Sequence, residues 1–315
     1  MQLSCILLNL RIIFKGEIMR KIFTLLVISA VALFAKPIVT ASILPTKYFI
    51  EQIAGDTLDV NVMVGKGADP HTYEPKPKQM KELEKSKLYF AVGIEFEDAW
   101  LDRFSKTYKN LKIVKTQEGI QKIAMSEEHE HEHDGDKHHE HEHHDHDGHH
   151  HHHHDGLDPH IWLDPVLVKT QAENIANALI AEFPANAELY KANLAKFETK
   201  LDELNKFIAD KLQNVKSRVF IVYHPSWGYF AKRYNLEQIA IEVEGKEPKP
   251  TDIAELIDEA KEHGVKVIFV APQFPKKAAK LIAEQAGATV EELDQLPLNW
   301  LNEMKKTAEI LARSL

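Results

Sequence analysis

Three isolated histidines each head a short motif: His71 in Gly-Ala-Asp-Pro-His-Thr-Tyr-Glu-Pro, His160 in Asp-Pro-His-Ile-Trp-Leu-Asp-Pro, and His224 in Val-Tyr-His-Pro-Ser-Trp-Gly-Tyr-Phe. Neutral imidazole is the commonest protein ligand for zinc-like metals, so three of them brought together would make a metal site. A fourth histidine, His263, stands before Gly264 at the end of a helical pattern and reads as a helix cap favoured by the helix dipole.

The settings of the three support that chemistry. His71 follows an apolar strand pattern ending at Val64 and His224 follows one ending at Tyr223; ligands of open α/β sheets bind beyond the carboxyl ends of strands. Asp69-Pro70-His71 and Asp158-Pro159-His160 repeat one tripeptide, and Pro225 follows His224. Proline restricts its own φ and the residue before it, so each histidine sits on a stiffened loop. Asp69 and Asp158 are placed to accept a hydrogen bond from the imidazole nitrogen facing away from a metal. A closed tetrahedral site needs a fourth group. Asp294, just past the strand pattern Thr289 to Leu293, is the candidate, with Glu291 and Glu292 as alternatives that strand alternation alone does not separate.

A second histidine population runs from Glu127 to Asp155 and holds 15 of the 19 histidines, with eleven Asp or Glu against one Lys. With no apolar residue to bury, such a segment is expected to stay disordered and to act as a weak, multi-site zinc collector. Protonated imidazole cannot ligate, so it should lose metal as the pH falls toward about 5.

The elements that must position the three histidines read as α/β. The formal charge is -9, and the tract alone contributes -10, so the remainder carries about +1 and offers no nucleic-acid surface. Met19-Arg20-Lys21, the apolar run Ile22 to Phe34 and then Ala35 have the layout of a secretory signal peptide with Met19 as initiator. The single cysteine, Cys5, lies upstream of that run, so an exported chain would have neither a disulfide nor a lipid attachment cysteine. The periplasm is the expected location.

Beyond the leader, strands are predicted at Ile38–Leu44, Leu58–Val64, Leu88–Val92 and Lys112–Val114, and again at Arg218–Tyr223, Ile239–Val243, Val267–Val270 and Thr289–Leu293, alternating with helices. That rhythm predicts two lobes, each a mostly parallel sheet flanked by helices: residues 36–185 and 215–315. Asp164 should cap a helix that starts at Pro165 and ends near Pro184. From Asn186 to Asn214 there is no Gly or Pro, and Leu189, Phe197, Leu201, Leu204, Ile208 and Leu212 form one apolar stripe. A helix of that length spans about 40 Å and would join the lobes as a rigid connector. Glu95 to Trp100 reads as the acidic start of a helix, and Lys246 to Lys249 as a solvated loop.

These motifs, with Glu244-Gly245-Lys246-Glu247-Pro248-Lys249-Pro250 and Ala271-Pro272-Gln273-Phe274, resemble in order those of the cluster A-I (cluster 9) metal-binding proteins of bacterial ABC importers. The resemblance covers Lys36 to Leu315 and is greatest to the zinc-binding members, in which an acidic, histidine-rich loop lies between the first and second ligand motifs. It implies two lobes joined by a long helix with the metal between them, His71, His160 and His224 as ligands, and Asp294 at the position of the acidic fourth ligand. It also implies Zn²⁺ as cargo, since manganese-binding relatives tend to carry Glu where this chain has His224. A permease and an ATPase of an importer would be the partners, with the binding subunit a monomer. A zinc hydrolase is the opposing reading of three histidines. Outside the histidine-rich tract the sequence has neither a His-Glu-x-x-His motif nor a nucleophile elbow, so no enzymatic activity is expected.

Overall fold

The computed structural model describes residues 36–125, 156–242 and 245–315. The expected signal peptide and the histidine-rich tract, Glu127 to Asp155, lie outside the described residues.

Two four-stranded parallel sheets form the frame. In the first, β1 (Ile38–Ile43), β2 (Asp59–Val64), β3 (Ser86–Ala91) and β4 (Lys112–Lys115) lie in the order β2-β1-β3-β4. In the second, β5 (Val219–Val222), β6 (Glu237–Ala240), β7 (Val267–Val270) and β8 (Thr289–Glu292) repeat it as β6-β5-β7-β8. The central strands read as apolar runs because both their faces are covered: every residue of Val-Phe-Ile-Val in β5 and Val-Ile-Phe-Val in β7 is buried. The edge strands β4 and β8 are half-buried and polar at their ends.

Between the strands lie α1 (Leu44–Ala54), α2 (Pro77–Leu83) and α3 (Glu95–Thr107) in the first lobe. α6 (Gly228–Arg233), α7 (Pro250–Glu262) and α8 (Lys277–Ala286) belong to the second, and α9 (Trp300–Ser314) closes the chain. Proline is the first residue of α2, of α4 (Pro165–Glu182) and of α7, where its missing N–H costs nothing and its φ is already helical. Asp164 caps α4 as expected, its Oδ1 accepting from Val166 N at 2.8 Å.

The connector is α5 (Ala187–Leu212), 26 residues and about 39 Å long. Its buried face is Tyr190, Phe197, Leu201, Leu204, Ile208 and Leu212. Leu189, expected in the stripe, is 45% exposed. Tyr190 turns inward in its place because its hydroxyl meets Thr57 Oγ1 at 3.0 Å and accepts from Asn186 Nδ2 at 3.2 Å. α5 packs on α1, α4 and α9, and Trp300 of α9 sits edge-on to Phe49 of α1 at 5.0 Å between centroids. One apolar core therefore passes from the first lobe through the helices into the second, while a smaller one, around Ile221, Ile241, Leu256 and Ile282, fills the far side of the second sheet. The lobes are not two independent domains bridged by a surface helix. Among the described residues no helix is long and apolar enough to cross a membrane.

The second-lobe strand predicted at Ile239–Val243 pairs two residues earlier, at Glu237–Ala240. The register Val219↔Glu237 to Val222↔Ala240 sets it, not the apolar run.

Candidate metal centre

Each histidine reaches the cleft from the carboxyl end of a strand or from a built loop. His71 lies on the loop after β2. The Asp69 carboxylate shapes that loop by accepting from His71 N at 2.9 Å and from the Thr72 hydroxyl at 2.8 Å. His160 follows Pro159 and precedes a short 3-10 turn, Ile161–Leu163, that leads into the cap of α4. His224 lies two residues beyond β5, and the ring of Phe274, from the loop after β7, stacks on it at 4.8 Å and 24°. β5 and β7 are the neighbouring strands at which the connections change direction, where an open α/β sheet leaves a crevice.

The three imidazoles converge. Nε2 of His160 is 3.3 Å from Nε2 of His71 and 3.2 Å from Nε2 of His224, and one ligand nitrogen from each ring lies within 4.8 Å of the others. Two nitrogens each 2.0–2.1 Å from a tetrahedral zinc stand about 3.3 Å apart, the spacing seen around His160.

The other ring nitrogen of every histidine is held by a carboxylate. Nδ1 of His71 meets Glu95 Oε2 at 2.6 Å, Nδ1 of His160 meets Asp158 Oδ1 at 2.7 Å, and Nδ1 of His224 meets Glu242 Oε1 at 2.6 Å. A carboxylate on Nδ1 places the proton there and turns the Nε2 lone pair toward the centre of the group, which is how metal-binding histidines are oriented. Three lone pairs facing one another without a cation would repel, so the arrangement suits a bound cation.

The electrostatics follow from burial. Burial holds His160 well below the ordinary imidazole value, reinforced by the neighbouring His224 and His71. Burial also lowers His71, but the hydrogen bond and charge of Glu95, with Asp69 and Glu242, outweigh it and leave His71 raised. Burial pushes the Asp158 carboxyl up to about 8 against the His160 N–H that it accepts. Its Oδ2 sits where a side chain on residue 228 would begin, since a Cβ on Gly228 would lie 2.7 Å from it. The second lobe also grips this segment through Tyr229, whose hydroxyl donates to Asp158 O at 2.7 Å and accepts from Ile123 N at 3.2 Å.

A family model described as zinc-uptake complex component A, periplasmic (ZnuA), matches residues 39–314. The chain belongs to the ZnuA family. The high-affinity zinc uptake system protein ZnuA of Bacillus subtilis (strain 168) is 31% identical over 291 residues, spanning 88% of this chain and 87% of that protein. The zinc-binding protein AdcA of Streptococcus pyogenes serotype M3 (strain ATCC BAA-595 / MGAS315) is 33% identical over 275 residues. That match takes in 86% of this chain but 52% of AdcA, so this chain spans about half the length of that relative. A crystal structure of ZnuA superposes with a TM-score of 0.78 at 39% identity, covering 89% of this chain and 99% of that one. The shared fold is the two parallel-sheet lobes and long helix described above.

Asp294 is not among the group of His71, His160 and His224, whose ligand atoms lie within 4.8 Å of one another. Its Oδ1 accepts from Leu296 N at 2.9 Å and from Gln273 Nε2 at 3.3 Å, so it closes the turn after β8. Of the alternatives, Glu291 pairs with Arg313, and Glu292 with Lys276 at 3.2 Å. Asp69, expected on the His71 ring, holds the loop backbone instead, and Glu95 takes the ring nitrogen. Glu95 and Glu242 were both missed as partners by sequence reasoning. The strand-end rule that flagged Asp294 reaches them as well, since Glu95 follows β3 and Glu242 follows β6.

Proposed function

We propose that this chain is the periplasmic solute-binding subunit of a zinc ABC importer in a Gram-negative cell. It captures Zn²⁺ between its lobes and delivers it to a membrane permease driven by an ATPase. The proposed ligands are His71, His160 and His224 through Nε2, with Asp294 the candidate for the fourth position. The observation that carries this reading is the convergence of three imidazoles, with Nε2 of His160 3.3 Å and 3.2 Å from Nε2 of His71 and His224, and every Nδ1 on a carboxylate. Three imidazoles favour zinc over manganese, which prefers oxygen donors. The relatives' names, high-affinity zinc uptake system protein and zinc-binding protein, agree with zinc as the cargo, and transport leaves the site no catalytic cycle to perform.

Replacing a ligand tests the site and the role together. His160→Ala should weaken zinc binding by about 100-fold or more, and cells lacking this chain should take up radiolabelled zinc poorly and grow under metal limitation only when zinc is added. Normal zinc uptake without the chain, or full complementation by His160→Ala, would overturn the proposal.

A further inference from the structure

The three histidine–carboxylate pairs are alike in geometry and unlike in exposure. The side chains of His160 and Asp158 are wholly buried, and those of His224 and Glu242 are 6% and 8% exposed. The third pair faces water, with His71 14% and Glu95 48% exposed. A buried imidazole that turns away from its carboxylate leaves both groups without partners and bears their full desolvation cost. At the His71 pair, water replaces each lost hydrogen bond as it breaks.

The elements carrying the pairs point the same way. The Asp158 segment is clamped by Tyr229 and by a backbone bond from Asp158 N to Ile123 O at 2.8 Å. Glu242 is fixed beside His224 because Glu242 N donates to Tyr223 O at 2.9 Å, while Phe274 covers the His224 ring. His71 stands on a loop with no helix or strand between Val64 and Pro77, and among the described residues its ring lies beside those of His160 and His224 and pairs with Glu95. Glu95 itself is delivered by a rigid turn. The buried Glu97 carboxylate accepts from the backbone N–H groups of Val92 at 3.1 Å and Gly93 at 2.7 Å, and Lys122 Nζ donates to Gly93 O at 3.0 Å. Gly93 holds φ 84°, a left-handed conformation that strains any side chain, and a Cβ there would also press on Gln117 Nε2 at 2.9 Å. An anchored, water-facing carboxylate thus holds the one ligand that can swing.

We infer that Glu95 is a positioning residue for metal exchange: its hydrogen bond holds His71 on the ion, and zinc enters and leaves by the swing of His71 away from Glu95. The inference rests on the proposed zinc site. Metal release then begins with the His71 bond, while His160 and His224 keep hold of the ion until solvent or an acceptor ligand takes it. The Glu95–His71 contact is also the one among the three that salt in solution can screen.

The test uses the full chain loaded with one equivalent of zinc, measuring its dissociation into excess chromophoric chelator by stopped flow. Glu95→Gln should keep one tight zinc per chain but release it about tenfold faster, and Glu95→Asp, which keeps the charge on a shorter arm, should fall between it and the parent. The parent's release should accelerate from low to high salt, Glu95→Gln should lose that dependence, and Glu242→Gln should retain it. A Glu95→Gln release rate within about twofold of the parent, or loss of the salt dependence in Glu242→Gln as well, would overturn the inference. Failure of the parent to bind one tight zinc would instead overturn the proposed site itself, so the two results are distinct.

Discussion

His71, His160 and His224 present the same nitrogen inward because in each the other nitrogen is occupied by a carboxylate, and that pairing has a proton consequence. In the zinc-free protein His71 keeps a proton above the ordinary imidazole value of 6.5 and burial keeps Asp158 protonated up to about 8. Zinc needs His71 neutral and favours Asp158 as the anion. Binding at pH 7 should therefore release protons, and the release should shrink as the pH rises through 8 because Asp158 then gives up its own proton without the metal. In the other direction, affinity should fall with pH, starting above the 6.5 of a free imidazole because His71 is raised. Calorimetric titration in two buffers of different ionisation enthalpy measures this directly; no proton release at pH 7 would show that His71 and Asp158 lie outside the binding event. At this scale the three histidines were readable from sequence because a proline neighbour marks each locally, with an aspartate before it at His71 and His160. Glu95 and Glu242 were not, since they stand 24 and 18 residues from the histidines that they hold, and only the sheet order brings them close.

At the scale of elements, the alternation of strand and helix was legible because the central strands are buried on both faces and read as unbroken apolar runs. Boundaries moved where pairing overrode hydrophobicity, as at β6, and the apolar stripe on α5 began at Tyr190 because a hydroxyl partner drew it inward. The joint between α4 and α6 was not legible at all. Asp164 both caps α4 and receives Arg233 at 2.7 Å from Nη2 and 2.9 Å from Nε. Asp164 is buried and the Arg233 side chain is 35% exposed, so water offsets part of the loss when the pair is broken. Arg233→Met should destabilise the fold by about 2 kcal/mol, read as a lower urea midpoint at unchanged slope. An unchanged midpoint would mean that the joint contributes nothing net.

For the whole molecule, two lobes with the same strand order face a common cleft, and a continuous core through α1, α5 and α9 keeps them in register. Trp162 and Trp300 reinforce this, as the Trp162 indole donates to Gln295 O and the Trp300 indole donates to Trp162 O, each at 2.8 Å. Such a frame brings His71, His160 and His224 together with residues that all lie outside the histidine-rich tract. Deleting Glu127 to Asp155 should leave one tight zinc per chain in an equilibrium titration and remove only weaker ones; loss of the tight site would show that the tract is part of it. The most direct test of the central claim is a zinc-loaded crystal structure with anomalous scattering recorded at the zinc edge. It should show one strong peak between the lobes, about 2.0–2.1 Å from Nε2 of His71, His160 and His224. A peak bonded to fewer than these three histidines, or none in the cleft, would contradict it.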